Sequence, residues 1–217
     1  MLQTSLLYLH IAAGTIALFS AATALATRKG GKVHANVGRV YATVMTVVFL
    51  TAVPLAIFGA DVFLLLIAIF SFYLVLAGWR FAVNRSGRPQ TVDWAAIAIL
   101  GLTGIGMLAY GALLLAEGDG QWVTMLVFAV IAIALAAADA IYFRRQIQSR
   151  KSGGRQRLQR HLTNMLAATI ATVTAVTVVN VDMEPVWLPW ILPTIVVVPV
   201  IVWWNRRIVK HGLLPLR

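Results

Sequence analysis

Residues 28–39, RKGGKVHANVGR, separate two long apolar segments, and this break decides how the sequence is interpreted. Residues 6–26, LLYLHIAAGTIALFSAATALA, precede the basic stretch, and residues 40–60, VYATVMTVVFLTAVPLAIFGA, follow it. A helix that crosses the hydrocarbon core of a bilayer takes roughly 20 residues, and each segment is long enough. The basic stretch therefore predicts a turn between two membrane-spanning helices.

The composition is typical of a protein that lies in lipid. Of the 217 residues, 60% are hydrophobic and 12% are charged, whereas a soluble domain is roughly half apolar and roughly one quarter charged. The chain contains no cysteine, which excludes disulfides, thiolate catalysis and cysteine-ligated metal or iron–sulfur sites. A net charge of +11 would suggest nucleic-acid binding in a soluble protein, but here the cations lie between apolar segments.

Seven apolar segments predict an all-α, polytopic transmembrane helix bundle that forms one integral membrane domain over residues 1–217. The predicted spans are 5–27, 39–58, 61–83, 92–116, 121–143, 161–180 and 186–206. The connections near 59–61, 117–120 and 181–185 hold acidic residues and no cation, while the other connections and the C-terminus are basic. Because Lys and Arg near span ends are retained on the cytoplasmic side, the N-terminus is predicted outside and the C-terminus inside. The expected partner is the lipid bilayer and not nucleic acid.

Polar residues in or next to the spans are the candidate functional residues, because ionisable groups in a membrane are costly and face the bundle interior. The candidate ligand-binding residues are His10, His34, Arg39, Asp139, His161, Asn164 and Asn180. Four of them fall near cytoplasmic span ends and predict a polar cluster there: His34, Asp139, His161 and Asn164. The other side of the membrane holds His10 and Asn180.

A buried carboxylate needs a partner, and we expect Asp139 to form a hydrogen-bonded ion pair with a protonated histidine or an arginine such as Arg39. For His10 the expected role is a hydrogen bond to the backbone of a neighbouring helix.

Small residues at helical spacing predict close contacts between helices, because they let two backbones approach. The first span carries such a stripe, with Gly14, Ala17, Ala21 and Ala24 on one face, and we expect Gly14 to face another helix. Residues 101–111, GLTGIGMLAYG, are rich in glycine and predict a tightly packed fourth span.

No motif for catalysis or metal binding is present. The sequence has no zinc-binding H-E-x-x-H run, Walker loop, serine elbow or dinucleotide fingerprint. The four lysines, Lys29, Lys32, Lys151 and Lys210, lie in basic turns or the C-terminal tail. This placement excludes a retinal Schiff base inside a span. No catalytic residue and no metal ligand are assigned, and an enzyme is the less expected class.

Three functions fit these residues. The first is a non-catalytic membrane protein that binds a small ligand, a lipid or a protein partner at the cytoplasmic polar cluster. The second is a membrane redox protein that holds haem b or a quinone through His34 and His161, which share one side and each introduce a span. Interfacial capping, contact with a phosphate headgroup or pairing with Asp139 explains these two histidines more simply. A cytochrome with one haem on each side is unsupported, because His10 has no histidine partner on its side. The third is a small transporter, which ranks lowest because paired broken helices are expected and only the last span is interrupted by several prolines.

Three segments, LHIAAGTIAL, RKGGKVHANVGRVYATVM and RQRLQRHLTNMLAATIATVTAVTVVN, resemble the bacterial predicted membrane proteins grouped as domain of unknown function 2306. The resemblance implies a bacterial inner-membrane location. The family's recurring residues would correspond here to His10, Gly14, His34, Gly38, Arg39, His161, Met165 and Asn180. The resemblance supports the polar positions chosen above and supplies no mechanism.

Overall fold

The chain folds as a bundle of α-helices in a computed structural model, which describes residues 1–148 and 154–211, with side chains to residue 206. Those residues form seven helices: α1 (Leu2–Ala26), α2 (Lys32–Phe58), α3 (Val62–Val83), α4 (Thr91–Glu117), α5 (Trp122–Gln148), α6 (Gly154–Asn180) and α7 (Leu188–His211). Each of these seven is long and apolar enough to cross a membrane, so the predicted all-α class is confirmed, with seven helices that could serve as the predicted spans. The chain has the make-up of a multi-pass membrane protein. Lys151 and the side chain of Lys210 lie outside the described residues.

Several helices extend beyond the apolar segments that predicted them. Helix α2 begins at Lys32 and not at residue 39, and α6 begins at Gly154 and not at residue 161. Gly30 takes a left-handed φ of +78°, and Gly31 is the extended N-cap of α2. The turn therefore covers Thr27 to Gly31 and ends at this glycine pair, and most of the basic stretch is helical. Hydropathy marks the part of a helix that suits lipid, whereas backbone hydrogen bonding continues until a residue such as Gly30 breaks it.

Helices α3 and α6 each contact three other helices and connect the parts of the bundle. Helix α3 contacts α2, α4 and α6, and α6 contacts α1, α3 and α7. The hairpins α1–α2 and α4–α5 pack along their lengths on either side. Aromatic rings also stack between helices in the core. The ring centroids of Phe70 on α3 and Phe128 on α5 are 5.5 Å apart.

The basic segments meet at one end of the bundle, which we call the cation-rich end. Lys29, after α1, lies over the ring of Trp204 of α7 at 5.8 Å. Arg157 of α6 reaches the end of α3, where its Nη1 donates to the carbonyl of Ala82 at 3.0 Å. At the opposite end Gln121 donates to the carbonyl of Val186 at 3.4 Å. Five of the seven acidic residues lie at that opposite end: Asp61, Glu117, Asp119, Asp182 and Glu184.

The small residues pack as predicted at several positions, but Gly14 and Gly101 are exceptions. In α1, Ala17 and Ala21 are buried. A Cβ added to either Gly14 or Gly101 would meet no atom within 4 Å. The expectation that Gly14 touches another helix is therefore wrong. The expectation of tight packing in α4 holds at Gly104, where an added Cβ would lie 2.7 Å from Cγ1 of Ile133, and not at Gly101.

Candidate functional site

Asp139 is the most deeply buried charged residue described, with 0% of its surface exposed. The Tyr73 hydroxyl of α3 donates to Oδ2 of Asp139 at 2.6 Å. Nη1 of Arg160, from α6, donates to Oδ1 at 2.5 Å, and Nη2 donates to the carbonyl of Ala138 at 2.9 Å. The carboxylate therefore joins α3, α5 and α6 in one network, which we call the Asp139 network (Tyr73, Asp139, Arg160).

The ion pair expected at Asp139 is present, but its partner was not foreseen. Arg39 lies on the exposed surface of α2, where Nη1 donates to Oδ1 of Asn36 at 3.1 Å. Arg39 does not join the cluster. Both oxygens of Asp139 are occupied by protein donors, so removal of one partner would leave a buried polar group unpaired. The geometry of Asp139 is that of a structural link between helices.

His34 and His161 lie at the cation-rich end, and we call them the histidine pair. Nδ1 of His34 is 3.1 Å from the carbonyl oxygen of Ala24, and Nδ1 of His161 is 2.8 Å from that of Gly78. A carbonyl oxygen only accepts hydrogen bonds, so Nδ1 carries the proton in both rings. In the neutral ring Nε2 then holds a lone pair. Neither Nε2 makes a hydrogen bond to the described part of the chain.

The histidine pair lies at one depth in the bundle. Thr172 of α6 donates to Sδ of Met45 of α2 at 3.7 Å, and both helices begin at the cation-rich end. His34 precedes Met45 by eleven residues, and His161 precedes Thr172 by eleven residues. Equal numbers of residues on helices that run in the same direction place the two imidazoles level with each other.

His10 lies in the half of α1 that is remote from the cation-rich end. It makes the interhelical hydrogen bond that was predicted for it. Its Nδ1 is 3.2 Å from the carbonyl oxygen of Val48 and 3.0 Å from Oγ1 of Thr51. The Thr51 hydroxyl donates to its own helix, to the carbonyl of Val47 at 2.8 Å. Nδ1 of His10 is therefore the donor, and its Nε2 also holds a lone pair.

The two asparagines differ in their surroundings. Asn164 is 1% exposed, and its Nδ2 donates to the carbonyl of Arg160 at 3.0 Å. Its buried Oδ1 has no hydrogen-bond partner in the described residues, and neither has the hydroxyl of Tyr142. Asn180 lies exposed at the far end of α6 and donates to the carbonyl of Val176 at 2.8 Å. Asn180 is therefore remote from the other candidates at the cation-rich end.

Cations at this end also cap helices. Nζ of Lys29 donates to the carbonyls of Ala24 at 2.9 Å and Leu25 at 2.6 Å, at the end of α1. Burial against the protein lowers the pKa of the Lys29 ammonium. Cationic donors satisfy the last carbonyls of a helix and interact favourably with its dipole. The role of Lys29 is thus structural.

The sequence did not single out Tyr73, Arg160 or a second ion pair, Arg80–Asp93. Nε of Arg80 donates to Oδ1 of Asp93 at 2.7 Å, and Nη2 donates to Oδ2 at 2.8 Å. Asp93 and Asp139 are the two acidic residues of the chain at the cation-rich end. An acidic residue at the end of the bundle where the cations lie is the signal that would have identified both pairs. Between them lies a cavity of about 10 Å³, which holds at most about one water molecule.

The described residues contain no group of three or more His, Cys, Asp or Glu side chains that could hold a metal ion.

No protein-family model, no curated protein and no solved structure matches the chain. The resemblance to domain of unknown function 2306 therefore rests on its three sequence segments alone.

Proposed function

We propose that the chain is a non-catalytic, ligand-binding protein of the bacterial inner membrane, with its N-terminus outside and its C-terminus in the cytoplasm. The ligand binds at the histidine pair. The observation that carries this proposal is the state of the two rings: Nδ1 of each is bound to a main-chain carbonyl, and Nε2 of each is free of partners in the described residues.

This arrangement suits recognition because the rings are oriented before a ligand arrives. The bonds from Nδ1 to Ala24 and Gly78 fix the tautomer, so both Nε2 atoms accept and do not donate. The matching ligand is a lipid-soluble molecule with a hydroxyl donor. The Asp139 network supports the site by fixing α6, since Arg160 immediately precedes His161.

The second candidate is a membrane redox protein in which the same pair holds haem b or a quinone. One observation favours it specifically. A histidine that ligates a metal usually donates its other ring N–H to a carboxylate or a main-chain carbonyl, and both rings of the histidine pair do so. A bis-imidazole haem also takes its axial ligands from facing helices, and α2 and α6 supply one histidine each.

Replacement of either histidine by asparagine should weaken binding at the pair while the fold is kept. The asparagine amide N–H takes the place of Nδ1–H, so the bond to Ala24 or Gly78 is retained and only Nε2 is lost. In His34→Asn and His161→Asn we expect the affinity for a short-chain benzoquinol to fall at least about tenfold, as for loss of about 1.4 kcal/mol. Titration followed by tryptophan fluorescence measures this affinity.

The absorption spectrum of the purified protein separates the two candidates. We expect a colourless protein. A haem band that disappears in both asparagine variants would replace the first candidate by the redox protein. Undiminished benzoquinol binding in both variants, with no haem band in the wild type, would contradict both candidates.

Cysteines placed on either side of α4 test the orientation. The chain has no cysteine of its own, and Ser86 and Asp119 are exposed before and after α4. In intact cells a polar maleimide should label Asp119→Cys, and it should label Ser86→Cys only after permeabilisation. Leu102→Cys, which is exposed in the middle of α4, is the control and should stay unlabelled in the bilayer. Labelling of both end positions from the same side would contradict the seven-span orientation.

A further inference from the structure

Helices α1 and α2 carry two equivalent histidine positions. Nδ1 of His10 on α1 donates to the carbonyl of Val48 on α2, and Nδ1 of His34 on α2 donates to the carbonyl of Ala24 on α1. His34 follows His10 by 24 residues, and Val48 follows Ala24 by 24 residues. If α1 and α2 are exchanged, the hydrogen bond from His10 to Val48 therefore coincides with the hydrogen bond from His34 to Ala24.

The same shift of 24 residues relates further positions of the hairpin. It carries Gly14 onto Gly38, and it carries the buried Ala17 and Ala21 onto the buried Tyr41 and Met45. Because α1 and α2 are the two arms of a hairpin, this correspondence amounts to an approximate two-fold axis between them. An axis of this kind places equivalent sites in opposite halves of a membrane.

Each histidine of the hairpin has open space beside it. Gly14 follows His10 by four residues, and Gly38 follows His34 by four residues, so each glycine shares a helix face with its histidine. A Cβ added to either glycine would meet no atom within 4 Å. In α4, Gly104 and Gly111 lie against neighbouring side chains, whereas Gly101 is open like Gly14 and Gly38 but has no histidine one turn before it. The open glycines leave room for a flat group against the helix, one turn from an imidazole.

We propose that His10 and Gly14 form a second ligand site, in the outer half of the membrane, for a flat, lipid-soluble ring that bonds to an imidazole Nε2. This inference rests on the proposed function, since it assigns to His10 the type of ligand that the histidine pair binds. The ring reaches the site from the lipid, because Leu7 and Ile11, which flank His10 on α1, are exposed. The bond at Nε2 would be a hydrogen bond from a quinol hydroxyl.

The two sites differ in the number of imidazoles. The inner site has His161 in addition to His34, whereas the described residues of the outer half offer His10 alone. The outer site should therefore bind the ring more weakly, by about tenfold if one hydrogen bond of about 1.4 kcal/mol is missing.

Stoichiometric titration of the purified full-length protein tests the inference. The probes are a short-chain benzoquinol, followed by tryptophan fluorescence, and haem b, followed by its absorption band. The variants are His10→Asn, which keeps the bond to Val48, and the double variant His34→Asn/His161→Asn. We expect two equivalents of one probe in the wild type, with one of them lost in each variant.

The other outcomes distinguish this inference from the proposed function. One equivalent that is lost only in the double variant would overturn the outer site and leave the function at the histidine pair intact. One equivalent that is lost only in His10→Asn would support the outer site and overturn the histidine pair. No binding of either probe, or binding that no variant reduces, would overturn both.

Filling of the open space gives an independent test. Gly14→Leu places a side chain where the ring would lie, and it should remove the weaker equivalent without loss of folded protein. Ala12→Leu adds a similar side chain at an exposed position of the same helix and should leave both equivalents. Equal binding by the two variants would contradict the placement of the ring against Gly14.

Discussion

Replacement of Asp139 by alanine should lower the free energy of unfolding by about 3–5 kcal/mol, because it leaves the paired guanidinium of Arg160 without its partner. The Asp139 network joins three helices, and the Asp139 side chain is 1% exposed. The Tyr73 hydroxyl would also lose its acceptor at 2.6 Å. Chemical unfolding in detergent micelles, followed by circular dichroism, measures the difference. Glu117→Ala, at an exposed acid of α4, is the control and should change the free energy by less than about 0.5 kcal/mol.

A double variant shows whether the loss comes from the unpaired charge. Removal of both charges in Asp139→Leu/Arg160→Met leaves no uncompensated ion, and apolar replacement of a buried pair is often close to neutral. The double variant should therefore be more stable than Asp139→Ala. If the effects of the single variants Asp139→Ala and Arg160→Ala simply added in Asp139→Ala/Arg160→Ala, the two residues would not be coupled, and the network would have no structural role.

The fold was predictable from the sequence to a large extent, because a helix that crosses a bilayer must be apolar over roughly 20 residues. All seven spans correspond to helices, since a helix is the structure that satisfies its backbone hydrogen bonds within one segment in hydrocarbon. The helix ends were less predictable. The residues from Lys32 to Arg39 belong to the basic stretch and were assigned to a turn, yet they form the start of α2 because the turn ends at the glycine pair.

The depth of the site residues in the bundle was predictable from the sequence, but the contacts between their side chains were not. Charge distribution placed His34, His161 and Asp139 at the same end, and the burial of Asp139 indicated a partner. The identity of that partner depends on which faces of α5 and α6 meet, and a single sequence does not contain this information. Arg160 was therefore counted among the topology-determining cations, although it is the cation that pairs with Asp139.

The glycines show a similar limit. A small residue permits a close contact between helices, but it does not require one. Gly14 has the spacing of a packing stripe and faces open space, whereas Gly104 has comparable spacing and lies against α5. Sequence spacing gives the face of a helix; whether another helix covers that face is decided by the packing of the whole bundle.

Replacement of Gly104 by leucine should disrupt the α4–α5 hairpin. A Cβ at Gly104 would already lie 2.7 Å from Cγ1 of Ile133 and 3.3 Å from the main-chain oxygen of Ala129. Ile133 could rotate away from a methyl group, but a leucine side chain would force the two backbones apart. Overpacking of this kind costs about 1–3 kcal/mol and occasionally more, and we expect a value in the upper part of this range because the backbone of α5 must move.

Gly101→Leu is the matched control for this variant, since it lies one turn earlier on α4 and an added Cβ there would meet nothing within 4 Å. At that position the better helix propensity of leucine should keep or raise the stability, by up to about 1 kcal/mol. The midpoint of thermal unfolding in detergent, measured side by side for both variants, gives the comparison. Equal midpoints would mean that α4 and α5 do not approach closely at Gly104. A lower midpoint in Gly104→Leu alone would locate the closest approach of α4 and α5 at this glycine. This contact holds the buried face of α5 in position, and Asp139 lies on that face.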